Sequence, residues 1–290
     1  MFHCYKMKWK VVAALGILLL VCCISVPVIS VATTTSTVPE EEHVKVPIVM
    51  YHSVLKDPSK DGTYVVSPSE FENDLVYLLE NGYTTIFLQD LVDYVYRGKK
   101  LPEKPVVITF DDGYLNNLTY VLPILQKYQA KAEINIVGSY SQRFSETPDP
   151  KPNYAHLTWE DIKALRDSGC FEIGNHTYDM HRQTKRRGCA KNKGEDTESY
   201  QAALRADLTK TQELLRENCG ITPTVFAYPY GYISEESIQV LKEMGFTVAL
   251  TCYEKPNYIT RNPEKLYALN RYNRPSGVST EQFMKKLLAD

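Results

Sequence analysis

Residues 106–114 read VVITFDDGY. Val106, Val107 and Ile108 form a short β-branched apolar run, the mark of a strand buried on both faces of a parallel sheet. The run ends in two adjacent carboxylates, Asp111 and Asp112, followed by Gly113. A buried strand gains nothing by ending in two like charges. Either Asp-Asp-Gly is a solvated turn, since Asp-Gly is a common turn dipeptide, or something cationic offsets the repulsion. The rest of the chain decides between them.

Around this strand the sequence alternates strand-like and helix-like segments. Strands are expected at 46–51, 84–88, 106–110, 132–137, 170–174, 224–228, 246–250 and 267–272. Helices are expected at 67–81, where Ser67, Pro68 and Glu70 make a capping-box start, and at 88–97, 118–128, 158–168, 199–218, 234–244 and 280–288. Repeated units of this length predict an α/β fold with a parallel sheet and right-handed crossovers. Seven or eight strands over some 240 residues fit a closed (β/α) barrel, with an open doubly wound sheet as the alternative. In both, the working site lies at the carboxyl ends of the strands. The residues found there are His52, Asp111 and Asp112, His176, and Tyr228-Pro229-Tyr230-Gly231.

The chain has 290 residues, 43% hydrophobic and 23% charged, which suits one globular domain with appendages. A formal net charge of -2 gives no global attraction to nucleic acid or anionic membranes. Residues 1–32 stand apart. Lys6, Lys8 and Lys10 precede an uncharged apolar run at 11–32, about long enough to span a bilayer. This predicts a signal anchor or a signal peptide, with Ser30-Val31-Ala32 as a passable cleavage site and the body on the extracellular face of the membrane. Residues 33–44 are a polar linker, and 45–290 form the folded domain. Seven cysteines occur. The four in the body, Cys170, Cys189, Cys219 and Cys252, could form up to two disulfides outside the cell or remain free and buried.

A second motif, IGNHTYDMH at 173–181, carries His176 and His181 five positions apart. On a helix that spacing separates them by about 140°, and on a strand they face opposite sides. They converge only if the chain leaves the strand and turns. Two imidazoles with one carboxylate make an N2O site for Zn²⁺ or a similar divalent ion.

TFDDGY, then HTYDMH, then YPYG resembles the motif order of the polysaccharide deacetylases, the NodB-like carbohydrate esterases, over roughly residues 46–275. The resemblance implies a distorted (β/α) barrel and a divalent metal, most often Zn²⁺ with Co²⁺ and Ni²⁺ as alternatives. It also implies removal of acetyl groups from N-acetylglucosamine polymers such as peptidoglycan or exopolysaccharide. It makes Asp111 the general base and Asp112, His176 and His181 the metal ligands. The Tyr230 backbone N–H becomes an oxyanion donor, and Tyr114, Tyr178, Pro229 and Tyr230 become sugar contacts. Three features depart from the family pattern. The histidine spacing is one residue longer than the common form. The arginine that usually precedes the Pro-Tyr-Gly motif and orients the base is not evident, since Phe226 and Ala227 stand there. No histidine follows His181 to act as general acid, which leaves His52 as a substitute, with His156 as another. A catalytically weak carbohydrate-binding protein on the same scaffold is the alternative function. A glycosidase is disfavoured, because adjacent acids cannot flank a bond at the roughly 5–9 Å separation such enzymes need. The basic stretch 182–193 could meet an anionic polymer or be a solvated loop.

Overall fold

The computed structural model describes residues 43–289; the apolar segment at 11–32 and most of the linker lie outside them. Seven parallel strands form the central sheet: β1 (Ile48–Tyr51), β2 (Pro105–Phe110), β3 (Ala132–Ile136), β4 (Phe171–Asn175), β5 (Val225–Ala227), β6 (Val248–Leu250) and β7 (Tyr272–Asn273). Their spatial order is β6-β5-β4-β3-β2-β1-β7. The expected strand at 84–88 shrinks to Thr84–Thr85, which pairs beside the start of β2.

The last strand closes the seam. Leu269 bridges in parallel to Leu250 of β6, and Tyr272 pairs with Val49 of β1. One short segment therefore touches both ends of the sheet and draws it into a distorted barrel. A continuous strand at 267–272 is not what forms there. Pro263–Ala268 is a 3₁₀ helix, started by Asn262 accepting from the Glu264 N–H with Pro263 at its first position.

The helices are α1 (Pro68–Glu80), α2 (Leu88–Arg97), α3 (Leu122–Tyr128), α4 (Gly138–Glu146), α5 (Trp159–Asp167), α6 (Thr197–Cys219), α7 (Glu235–Glu243) and α8 (Thr280–Leu287). The capping box at Ser67 and Glu70 forms as the sequence suggests. Helix α4 was not expected. Its sequence, GSYSQRFSE, has few apolar residues and no side-chain cap; packing against α6 sustains it, since a Cβ on Gly138 would lie 2.5 Å from Thr211 Oγ1.

Alternation along β2 sets the two faces. Val106, Ile108 and Phe110 pack outward with Phe71 and Leu75 of α1 and Leu125 of α3. Val107 packs inward with Ile48, Val225 and Val248, and α2 seals that end of the barrel with Leu88 and Leu91. The next inward position on β2 is Thr109, and Asp111 follows just past the strand end. The barrel interior thus turns from apolar to polar towards the carboxyl ends of the strands. Beyond β7, Arg274 bonds Asp74 of α1 at 2.6 Å with both side chains buried, which pins the seam segment to the outer layer.

Candidate active site

Asp111 and Asp112 leave β2 in different directions because Asp112 sits at φ 70°. A non-glycine residue there carries strain, and three of the four such residues among those described are Asp112, Thr177 and Tyr230. Each stands at the carboxyl end of a barrel strand. The Asp112 turn is held from behind by His156, whose Nδ1–H donates to the Asp112 carbonyl at 2.8 Å and whose ring stacks on Tyr114. His156 is thereby an anchor for the turn, and it is not among the side chains that line the cavity.

The five-residue histidine spacing closes by the required turn. Asn175 Oδ1 accepts from the Thr177 N–H at 2.8 Å, and Thr177 takes φ 74°. Asp207 of α6 then accepts from the Tyr178 and Asp179 N–H groups at 2.6 and 2.9 Å. His181 is returned towards His176, with ring centroids 5.0 Å apart. The candidate ligand atoms of Asp112, His176 and His181 all lie within 4.8 Å of one another.

Two observations make this trio fit a divalent metal. Asp112 Oδ1 is buried without a hydrogen-bond partner, although His181 Nε2 lies 3.1 Å away and His176 Nε2 3.6 Å away. A buried carboxylate oxygen left so is costly unless a cation satisfies it. Second, His176 Nδ1–H donates to the Ala227 carbonyl at 2.7 Å, which fixes the tautomer and leaves Nε2 as a lone pair facing Asp112. Burial pushes the His176 imidazole down to about 4, so that lone pair is available at neutral pH. His181 Nδ1 meets the Tyr230 hydroxyl at 3.3 Å. Replacing His176 with alanine is expected to remove the metal from the purified protein, read by elemental analysis; full occupancy in the variant would refute its role.

Asp111 is held differently. Arg271 grips it with two parallel hydrogen bonds, Nη1 to Oδ1 at 2.8 Å and Nη2 to Oδ2 at 2.7 Å, and Asn135 Nδ2 donates to Oδ1 at 2.9 Å. Burial alone would raise the Asp111 carboxyl, but the Arg271 guanidinium and then His176 hold it far below the usual carboxylate range. This buried fork-to-fork pair is the cation that offsets the two adjacent acids. Arg271 lies on the seam between Leu269 and Tyr272, and 0% of its side chain is exposed. The sequence did carry a signal for it: an arginine inside a stretch that reads as a strand.

The cavity above these groups has a volume of about 530 Å³. His52, Tyr114 and Tyr230 line it, joined by Tyr64, Tyr232 and Glu254, which sequence reasoning did not single out. His52 Nδ1 is buried without a partner. Two expected sugar contacts fall elsewhere. Tyr178 donates to Gln142 Oε1 at 2.8 Å and lies under Lys210, because the Asp207 clamp turns it towards α4 and α6. Pro229 is buried beneath the Tyr230 turn. That turn sits tightly on the barrel: a Cβ on Gly231, at φ 71°, would lie 2.6 Å from the Cys252 backbone nitrogen.

The basic stretch 182–193 is partly tied to protein, while Lys185 and Lys193 stay exposed to solvent. Arg186 bonds Glu195 at 2.8 Å, Arg187 bonds the Tyr232 hydroxyl at 2.7 Å, and Lys191 bonds Glu236 at 2.7 Å. All four body cysteines are free. No helix among the described residues is long and apolar enough to cross a membrane.

A parallel α/β barrel with an Asp-His-His cluster and a separate, arginine-gripped aspartate at its carboxyl end defines the class. The polysaccharide deacetylase family model matches residues 98–249, and the chain belongs to that family. It is 28% identical over 224 residues to the poly-beta-1,6-N-acetyl-D-glucosamine N-deacetylase of Escherichia coli (strain K12), an alignment covering 70% of this chain and 33% of that protein. The chain thus spans about a third of the length of that relative. It is 29% identical over 251 residues to the putative polysaccharide deacetylase YxkH of Bacillus subtilis (strain 168), covering 86% and 78%. Among solved structures, IcaB from Ammonifex degensii superposes with a TM-score of 0.68 at 24% identity, covering 84% of this chain and 97% of that one. The Streptococcus pyogenes deacetylase PplD, in complex with acetate, superposes with a TM-score of 0.67 at 21% identity, covering 85% and 99%. These two superpositions speak to the fold alone.

Proposed function

We propose that this protein hydrolyses N-acetyl groups of an N-acetylglucosamine polysaccharide, releasing acetate, with a divalent metal held by Asp112, His176 and His181. The observation that carries the reading is the split between the two neighbouring acids. Asp112 presents an unsatisfied oxygen to two imidazoles, while Asp111 is kept ionised and out of that cluster by Arg271. When bound, the metal would supply Lewis acidity and lower the pKa of a water molecule, with Zn²⁺ the best match to an N2O donor set and Co²⁺ or Ni²⁺ as alternatives.

The chain's own groups do the rest. Asp111 takes a proton from the attacking water, whose oxygen joins the acetyl carbon. The Tyr230 backbone N–H, at the tip of a strained turn, donates to the developing oxyanion. As the C–N bond breaks, the leaving nitrogen needs a proton. His52 is the cavity-lining imidazole outside the ligand trio, and it is the donor we assign. Tyr114, Tyr230 and Tyr64 offer faces on which sugar rings can stack. The same reading places the domain on the extracellular side of a membrane, carried by the apolar run at 11–32.

The names of the relatives support poly-β-1,6-N-acetylglucosamine as the substrate to try first. The test is acetate release from this polymer, from chitin oligomers and from peptidoglycan. Release from any of them, dependent on added metal, supports the proposal. Saturable binding without acetate would instead favour the carbohydrate-binding alternative. The pairing of Arg271 with Asp111 and the place of His52 in the cavity lining support the enzyme reading over that alternative. Exchanging His52 for glutamine is expected to lower kcat by about 10²–10⁴ with metal content unchanged; an undiminished kcat would exclude His52 as the proton donor.

A further inference from the structure

We propose that Glu133 is a protonated acid that donates a hydrogen bond to Asn135 Oδ1, and so fixes the Asn135 amide with its N–H directed at Asp111. Glu133 is then a positioning residue for the base, a role that rests on the reading of Asp111 above.

Glu133 and Asn135 are two apart on β3, so they share its inward face. Glu133 is 0% exposed, and neither carboxyl oxygen has a hydrogen-bond partner; nor does Asn135 Oδ1. These orphaned oxygens crowd one space. A Cβ on Gly174, opposite Asn135 in register on β4, would lie 2.1 Å from Asn135 Oδ1 and 2.6 Å from Glu133 Oε1. Only glycine leaves room for both.

The amide orientation is forced. Asp111 is ionised and accepts only, so Asn135 must turn its nitrogen to it, as it does at 2.9 Å. Asn135 Oδ1 then faces Glu133. An ionised Glu133 would set acceptor against acceptor in a buried space, whereas one proton on Glu133 satisfies both. Among the described residues, the cation that acts on Glu133 is Arg271, and it is committed elsewhere. Arg271 directs its N–H groups at Asp111, Thr109 Oγ1, the Thr251 carbonyl and Cys252 Sγ. Glu133 is also faced in register by Glu172 on β4 and by Thr109 on β2, with Asp111 two residues further along. Burial, then Glu172 and Asp111, hold its carboxyl far above the ordinary glutamate range. Glu172, next to Asp90, Asp93 and Lys131, is raised mainly by its own burial.

The experiment has two readouts. Infrared spectra of the full chain at pH 9 should show the carbonyl stretch of a protonated carboxyl group that vanishes in Glu133→Gln and persists in Glu172→Gln. In stability against pH, the folded state holds a proton that the unfolded chain releases above about 4.3. Stability should therefore fall as pH rises beyond that point, and Glu133→Gln should remove that part of the slope. In turnover, Glu133→Met should lower kcat at least tenfold with KM little changed, while Glu133→Gln, whose amide can donate the same bond, should stay within about threefold of wild type. No protonated-carboxyl band at pH 9, or Glu133→Gln as impaired as Glu133→Met, would overturn the proposal. If Glu133→Met does not fold, the infrared band and Glu133→Gln still decide. A wild-type protein that releases no acetate would sink the deacetylase reading, and the band would report on Glu133 regardless.

Discussion

Asp111→Asn is expected to lower acetate release by about 10²–10⁴ while leaving the metal content at the wild-type level. Asparagine keeps the shape of the side chain and can still accept one bond from Arg271, but it cannot take a proton from water. The ligand trio is untouched, because Asp112 leaves the strand end in its own direction through a left-handed residue. The change also leaves a buried guanidinium without its carboxylate, so a loss of stability accompanies it. Rates should therefore be compared well below the melting temperature of the variant, with folding checked by circular dichroism. Near-normal turnover by a folded, metal-loaded Asp111→Asn would remove Asp111 from the mechanism.

Arg271→Met should be as damaging, by a different route. It leaves Asp111 buried and ionised with no cation, an arrangement that costs about 3–5 kcal/mol when one partner of a buried pair is deleted. For a domain of this size that is a fall in melting temperature on the order of 10 °C. The pH dependence should change as well. In the native protein the guanidinium overcomes the effect of burial and keeps the Asp111 carboxyl far below its usual range. Its contribution to stability is present above the unfolded pKa and is lost only as pH falls through the low folded value. Without Arg271, burial dominates and the carboxyl rises, so an acid limb in kcat/KM should move to higher pH. Arg271→Lys retains a charge but not the fork, and should recover stability more than rate. A stable, active Arg271→Met with an unchanged pH profile would show that the pair is incidental.

Arg271 also shows where the sequence stops being legible. The strand ending in Asp111-Asp112 and the loop bearing His176 and His181 are local patterns, each visible within a short stretch of sequence. The partner of Asp111 is 160 residues away along the chain. It sits on a seam segment that reads as a strand but folds mostly as a 3₁₀ helix and a single bridge, and it faces inward only because Leu269 and Tyr272 pair with strands on either side. Asn135 was equally hidden: an asparagine in an apolar strand is unremarkable until Asp111 lies opposite. Tyr178 erred in the other direction. Its position in the histidine loop suggested the cavity, but Asp207, on a distant helix, turns the loop and sends the ring elsewhere. Helix α4 went unseen because its support is tertiary, from the surface of α6.

By itself the sequence determined the parallel α/β plan, the caps of its helices, and the end of the barrel at which Asp111, Asp112, His176 and His181 gather. These follow from periodicity, turn chemistry and short-range spacing, which act between neighbours in the chain. The tertiary structure alone decided which cation balances the two acids, how imidazoles five apart converge, which tyrosines face the cavity and why Gly174 must lack a side chain. Those outcomes depend on contacts between segments far apart in sequence, and no local pattern encodes the distance between them once the barrel closes.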